Sequence, residues 1–73
     1  ITINLPKLSD VDTGTFYRII KRGGVIVTFK SDTMNIFFVS RGDLMSSVSS
    51  ELASEWINCF WDGKYWYVEM SGN

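Results

Sequence analysis

The chain has 73 residues, eight acidic against seven basic side chains, a formal net charge of −1 and a pI near 5.1. That length bounds it to a single domain, 1–73, and its charge balance gives no electrostatic ground for binding nucleic acid or an anionic membrane. Cys59 is the only cysteine and histidine is absent, which excludes an intrachain disulfide and a cysteine metal cluster and removes the commonest general base.

No apolar run approaches the ~18 residues needed to span a bilayer, and no signal peptide opens the chain. The start at Ile1, already inside an alternating pattern, is the expectation for a fragment of a longer protein.

Period-two alternation dominates from the first residue. "ITINL" places Ile1, Ile3 and Leu5 on one side and Thr2 and Asn4 on the other, a half-buried strand stopped by Pro6. A polar connector follows over 6–14, with Leu8 and Val11 as its anchors. "TFYRIIK" (15–21) and "VIVTFK" (25–30) are rich in β-branched and aromatic residues, and the Gly23-Gly24 pair between them predicts a tight hairpin. "SDT" (31–33) reads as a turn. "MNIFFVS" (34–40) then carries Met34, Ile36 and Phe38 on one face and Phe37 and Val39 on the other, which predicts a strand covered on both sides.

Residues 41–54 admit two readings. A helix would align Leu44, Val48 and Leu52; a loop followed by a short strand stands equally open beside it, since four serines between 46 and 50 weaken a helix. The closing stretch "EWINCFWDGKYWYVEM" (55–70) sets Asp62-Gly63 between two alternating runs, a strong hairpin signal. Trp56, Asn58 and Phe60 share one face of the first arm, opposite Ile57, Cys59 and Trp61. In the second arm Tyr65, Tyr67 and Glu69 oppose Trp66, Val68 and Met70. A two-residue turn would set Trp61 opposite Lys64, Phe60 opposite Tyr65 and Cys59 opposite Trp66. The whole predicts an all-β domain, a small antiparallel sandwich or barrel-like module of five to six short strands.

So short a chain poses a stability problem. Its core rarely supplies more than about 3–5 kcal/mol, and small domains usually add a disulfide, a metal or a partner. Eleven aromatic rings exceed what so small a body can enclose, so apolar surface should remain, and a contiguous remainder marks an interface. Self-association is the first reading, with Phe37, Phe38, Trp56, Phe60, Tyr65 and Trp66 as core and interchain surface. A carbohydrate-binding β module is the second, with Trp61, Lys64, Tyr65 and Tyr67 stacking on sugar faces at an exposed tip. Base stacking lacks the basic groove it needs.

The scattered carboxylates read as solvated charges. "DVD" (10–12) lacks the downstream ligand spacing of a calcium loop. "RGD" (41–43) matches an integrin-read tripeptide, and a Gly-Asp turn explains it as well. No serine has a histidine to activate it, and a glycosidase pair needs carboxylates about 5–10 Å apart across a cleft that short strands hardly leave. Neither an enzyme nor a cofactor emerges, and Cys59 reads as a small buried hydrophobe.

The order of these pieces resembles the β-rich modules of bacteriophage and large-DNA-virus fibre proteins, the tail fibres and head fibres. The likeness is carried by "ITINLP" (1–6), "TGTFYRIIK" (13–21), "GGVIVTFK" (23–30) and the closing hairpin, above all Asp62-Gly63 followed by Trp66, Tyr67 and Val68. It departs at "MNIFFVSRGDLM" (34–45), where such modules carry a Gly-rich polar stretch. The resemblance implies a non-enzymatic homotrimeric module on the virion surface, which locks three chains in register or attaches to a host glycan or receptor.

Overall fold

Two tryptophans adjacent on the closing hairpin explain much of the architecture. The computed structural model describes residues 1–9 and 12–71, so Val11 and the Asp10 end of "DVD" lie outside the described residues. Among the described residues there are eight short strands: β1 (Thr2–Asn4), β2 (Phe16–Ile20), β3 (Thr28–Lys30), β4 (Ile36–Phe38), β5 (Asp43–Met45), β6 (Ser47–Ser49), β7 (Trp56–Trp61) and β8 (Trp66–Met70). They form a three-stranded sheet, β1-β3-β6, and a five-stranded sheet, β2-β7-β8-β4-β5. The domain is all-β as expected, with more strands than expected and with mixed sheets, since β1 pairs β3 and β4 pairs β8 in parallel.

The closing hairpin sorts its side chains by alternation. Ile57, Cys59 and Trp61 of β7 and Trp66, Val68 and Met70 of β8 are all buried. Ile36 and Phe38 join them from β4, while Phe29, Val48, Val27 and Leu5 cover them from the three-stranded side. The Trp61 and Trp66 rings lie 5.6 Å apart. A buried indole N–H must find an acceptor. Trp61 Nε1 donates to the Ser9 carbonyl at 2.7 Å and Trp66 Nε1 to the Pro6 carbonyl at 3.3 Å. The connector after β1 is thereby tied to the hairpin some 50–60 residues later, and Leu8 packs against the core as its anchor.

Several local expectations give way to long-range pairing. The Gly23-Gly24 hairpin does not form: β2 pairs only with β7, over five residues from Phe16↔Phe60 to Ile20↔Trp56, while β3 belongs to the other sheet. The glycines make a corner between sheets instead. Gly23 takes φ +78° and Val25 N–H donates to its carbonyl at 3.0 Å, and the chain beyond enters the core at Val27.

The closing turn also differs, with four residues between the strands rather than two. Trp61 faces Trp66, Phe60 faces Tyr67 and Cys59 faces Val68. Asp62 causes the shift. Its Oδ1 accepts the N–H groups of Lys64 at 2.8 Å and Tyr65 at 2.7 Å, and its own N–H donates to the Tyr65 carbonyl. That side-chain-built turn, with Gly63 at φ +102°, consumes the two residues the shorter turn would have paired.

Residues 41–54 contain no helix; β5 and β6 occupy them, joined by Ser46, and Leu44, Val48 and Leu52 do not share a face. The strand in 34–40 is covered on one side only: Ile36 and Phe38 are buried, Phe37 is half-buried, and Met34 and Val39 are exposed.

Because Trp66 fills the centre of the core at 0 % exposure, Trp66→Ala should cost about 3–5 kcal/mol, the range for a buried aromatic cut back to alanine. That matches the stability expected of so small a core. Far-UV circular dichroism and urea titration should show a largely unfolded chain at 25 °C; an unchanged urea midpoint would contradict this placement.

Candidate functional site

The strands that bury one face must present the other. Register follows five side chains across the whole outer face of the five-stranded sheet: Phe16 on β2 lies opposite Phe60 on β7, Phe60 opposite Tyr67 on β8, Tyr67 opposite Phe37 on β4, and Phe37 opposite Leu44 on β5. Every strand of the sheet contributes one member. Phe16 is 53 % exposed, Phe60 40 % and Leu44 38 %, whereas Tyr67 and Phe37 are half-buried against each other with ring centroids 5.3 Å apart. Neighbouring aromatic pairs of this kind contribute roughly 0.2–1 kcal/mol each.

A polar row lies beside the aromatic one. Arg18 faces Asn58, which faces Glu69. Arg18 Nε donates to Asn58 Oδ1 at 2.9 Å, and its guanidinium sits 5.8 Å from the centre of the Trp56 ring. Beyond it Ile20 faces Trp56, with Ile20 65 % exposed. The outer face is thus banded: an aromatic row, a row with one cation and one anion, then a smaller apolar patch.

Of the residues singled out for core and interchain surface, Phe38 and Trp66 are core, while Phe37, Trp56, Phe60 and Tyr65 lie outside it. Trp61, expected at an exposed tip, is buried at 3 % and offers no ring face to a sugar; alternation puts it on the face of Cys59 and Ile57. Lys64 is exposed at the hairpin loop, its Nζ 5.1 Å from the Tyr65 ring centre, and Tyr67 is half-buried in the aromatic row. Phe16 and Leu44 are the members that sequence reasoning missed. The alternation of "FYRII" puts Phe16, Arg18 and Ile20 on one side, but only the strand order shows that Phe16 ends a row whose other end is Leu44.

Arg41 and Gly42 lie in the exposed β4–β5 turn and Asp43 opens β5; Gly42 takes φ +73° and its N–H donates to the Phe38 carbonyl at 2.8 Å. Asp12 accepts the Ser9 N–H and hydroxyl through Oδ2 at 3.0 and 3.2 Å, a turn-forming role. Among the described residues no three His, Cys, Asp or Glu side chains converge on a metal-sized site.

Two titratable groups give solution handles. Burial pushes the Cys59 thiol up to about 12, so thiolate is scarce at neutral pH. Cys59 should therefore react with an aromatic disulfide reagent only as fast as the domain unfolds; rapid labelling in native buffer would contradict its enclosure. The Tyr65 N–H above all holds the Asp62 carboxyl below its ordinary value; burial opposes it, and the Lys64 N–H and the Tyr67 hydroxyl add to the lowering. A depressed carboxylate stabilises the fold above its unfolded pKa, and this is lost as pH falls through the folded one. Asp62→Asn should flatten the fall of the thermal midpoint between pH 6 and pH 2; an unchanged acid slope would sink this assignment.

No protein-family model matches the chain, and neither a curated protein nor a solved structure does.

Proposed function

We propose that this domain is a non-enzymatic assembly module whose outer aromatic row packs against other copies of itself, in the manner of a homotrimeric module of a viral fibre. The observation that carries the reading is the row Phe16–Phe60–Tyr67–Phe37–Leu44, an apolar band crossing every strand of one sheet while remaining partly open to solvent. Scattered apolar residues on a surface are ordinary; a contiguous band marks a contact.

A second copy is favoured over an unrelated ligand on two grounds. The band runs without a break across all five strands, whereas a small-molecule site is a concave cleft that encloses its ligand. The row beside it carries Arg18 and Glu69 on the same face, so a copy facing its like offers each charge an opposite partner. Burying a large side chain contributes about 1.5–3 kcal/mol, and a few per chain raise a marginal domain well above its own core. The resemblance to fibre modules supplies the setting, a virion surface appendage, with contact to a host glycan or receptor as a further task.

Sedimentation equilibrium of the domain at micromolar concentration tests the reading. A mass of three chains is expected, and Phe60→Glu, which sets a carboxylate in the middle of the row, should yield monomers that keep the far-UV spectrum of the parent. A folded monomer for the unmodified chain at every concentration would overturn it.

A further inference from the structure

The aromatic row ends on the two open edges of the sheet. Among the described residues no strand lies beyond β2 on one side or β5 on the other, and the backbone pairing shows which groups each edge leaves free. On β2 the Thr15 carbonyl accepts from Trp61 N–H at 2.9 Å and Lys21 N–H donates to the Glu55 carbonyl at 2.8 Å. Alternate residues of a strand point their N–H and C=O the same way. Thr15, Tyr17, Ile19 and Lys21 therefore face β7, and Phe16, Arg18 and Ile20 turn theirs outward. On β4, Trp66 N–H donates to the Asn35 carbonyl at 2.8 Å and Val39 N–H to the Val68 carbonyl at 3.1 Å. Asn35, Phe37 and Val39 thus face β8, while Ile36 and Phe38 bond across to Met45 and Asp43 of β5. Leu44 is left with its N–H and C=O pointing outward.

The residues that terminate the row, Phe16 and Leu44, are thus residues whose main-chain groups are free at the edges. We propose that β2 of one copy pairs with β5 of the next, antiparallel, with Phe16 opposite Leu44, so that the aromatic row closes into an unbroken ring about a three-fold axis. The inference rests on the self-association reading above and adds its joint. Strand direction agrees with it: β5 and β7 run one way and β2, β8 and β4 the other. Rotation about an axis along the strands preserves direction and brings β5 beside an oppositely running β2. Parity agrees too, because Phe16 and Leu44 would form a hydrogen-bonded pair with both side chains on the row's face.

Sheet width selects the number of copies. Five strands at about 4.8 Å make a wall about 24 Å wide. Three such walls place the axis about 7 Å from each sheet, about 2 Å more than half the ~10 Å at which sheets pack face to face, a gap that large aromatic side chains can fill. Four walls would leave the axis about 12 Å away and the rings without partners. A heterologous joint of this kind must close or run on as a filament.

The test is a Phe16→Cys, Leu44→Cys double variant with native Cys59 retained in the core. Directly opposed residues of an antiparallel pair lie about 5.5 Å apart at Cα, within disulfide range. Mild oxidation should give covalent trimers on a non-reducing gel, with neither single variant doing so. In parallel, Leu44→Pro removes the outward N–H that the joint needs together with the Leu44 side chain, and Leu44→Ala removes the side chain alone; the proline variant should raise the dissociation midpoint at least tenfold above that of the alanine variant while leaving the far-UV spectrum unchanged. Trimers by sedimentation with no disulfide between positions 16 and 44 of the double variant, and with Leu44→Pro associating as Leu44→Ala does, would overturn the joint and leave the self-association reading standing. Covalent ladders beyond three chains would overturn ring closure. Monomers throughout would overturn both.

Discussion

Two buried indoles need two acceptors, and one connector supplies both. Trp61 and Trp66 sit opposite each other across the closing hairpin, and the carbonyls of Ser9 and Pro6 take their N–H groups. An unpartnered polar group in that position costs on the order of 1–3 kcal/mol, a large share of what a domain this small possesses. The connector therefore cannot drift from the hairpin without a heavy penalty. Holding it there fixes the end of β1, and β1 pairs with β3, so the three-stranded sheet is set over the inner face of the five-stranded one. The sandwich follows from where two N–H groups point.

Once the inner face is committed, the outer face has little freedom. A strand of alternating side chains that buries Trp61, Cys59 and Ile57 must present Phe60, Asn58 and Trp56. The same holds for β8, β4 and β2, and pairing lines their outward residues into rows. Four of the eleven aromatic residues are buried and the other seven are half-buried or exposed. The described residues leave that surface partly open, and it is this surface that the proposed contact between copies would cover.

The faces of the closing hairpin are legible in the sequence because side-chain direction has a period of two, and so is the all-β class. The register is not. A slip of two residues leaves every side chain on its face, so composition cannot tell a two-residue turn from the four-residue one that Asp62 builds with its side chain. The Gly23-Gly24 corner misleads for a related reason. Adjacent glycines say that the chain reverses or bends, while the partner of β2 lies about 40 residues away on β7 and leaves no mark nearby. The serines of 46–50 weaken a helix, and two three-residue strands stand in 41–54 instead. The row itself needs all four registers, which is why the sequence can name Phe60 and Phe37 as core or interchain residues without separating the two, and cannot name Phe16 and Leu44 at all.

Edges show what the faces alone leave open. Strand edges in monomeric sheet proteins are commonly guarded by proline, lysine, bulges or charge aimed along the edge. The five-residue edge β2 has none of the first three, and its one charge, Arg18, is drawn over the sheet face by Asn58 and Trp56 rather than standing guard. Such an edge left open in solution invites unlimited pairing. A closed ring would satisfy it with a complementary edge from the same kind of chain, and would at once remove the aromatic band from water. The two liabilities meet at Phe16 and Leu44, so the single symmetric contact proposed above would dispose of both. A partner that covered only the face would leave the edge still unguarded.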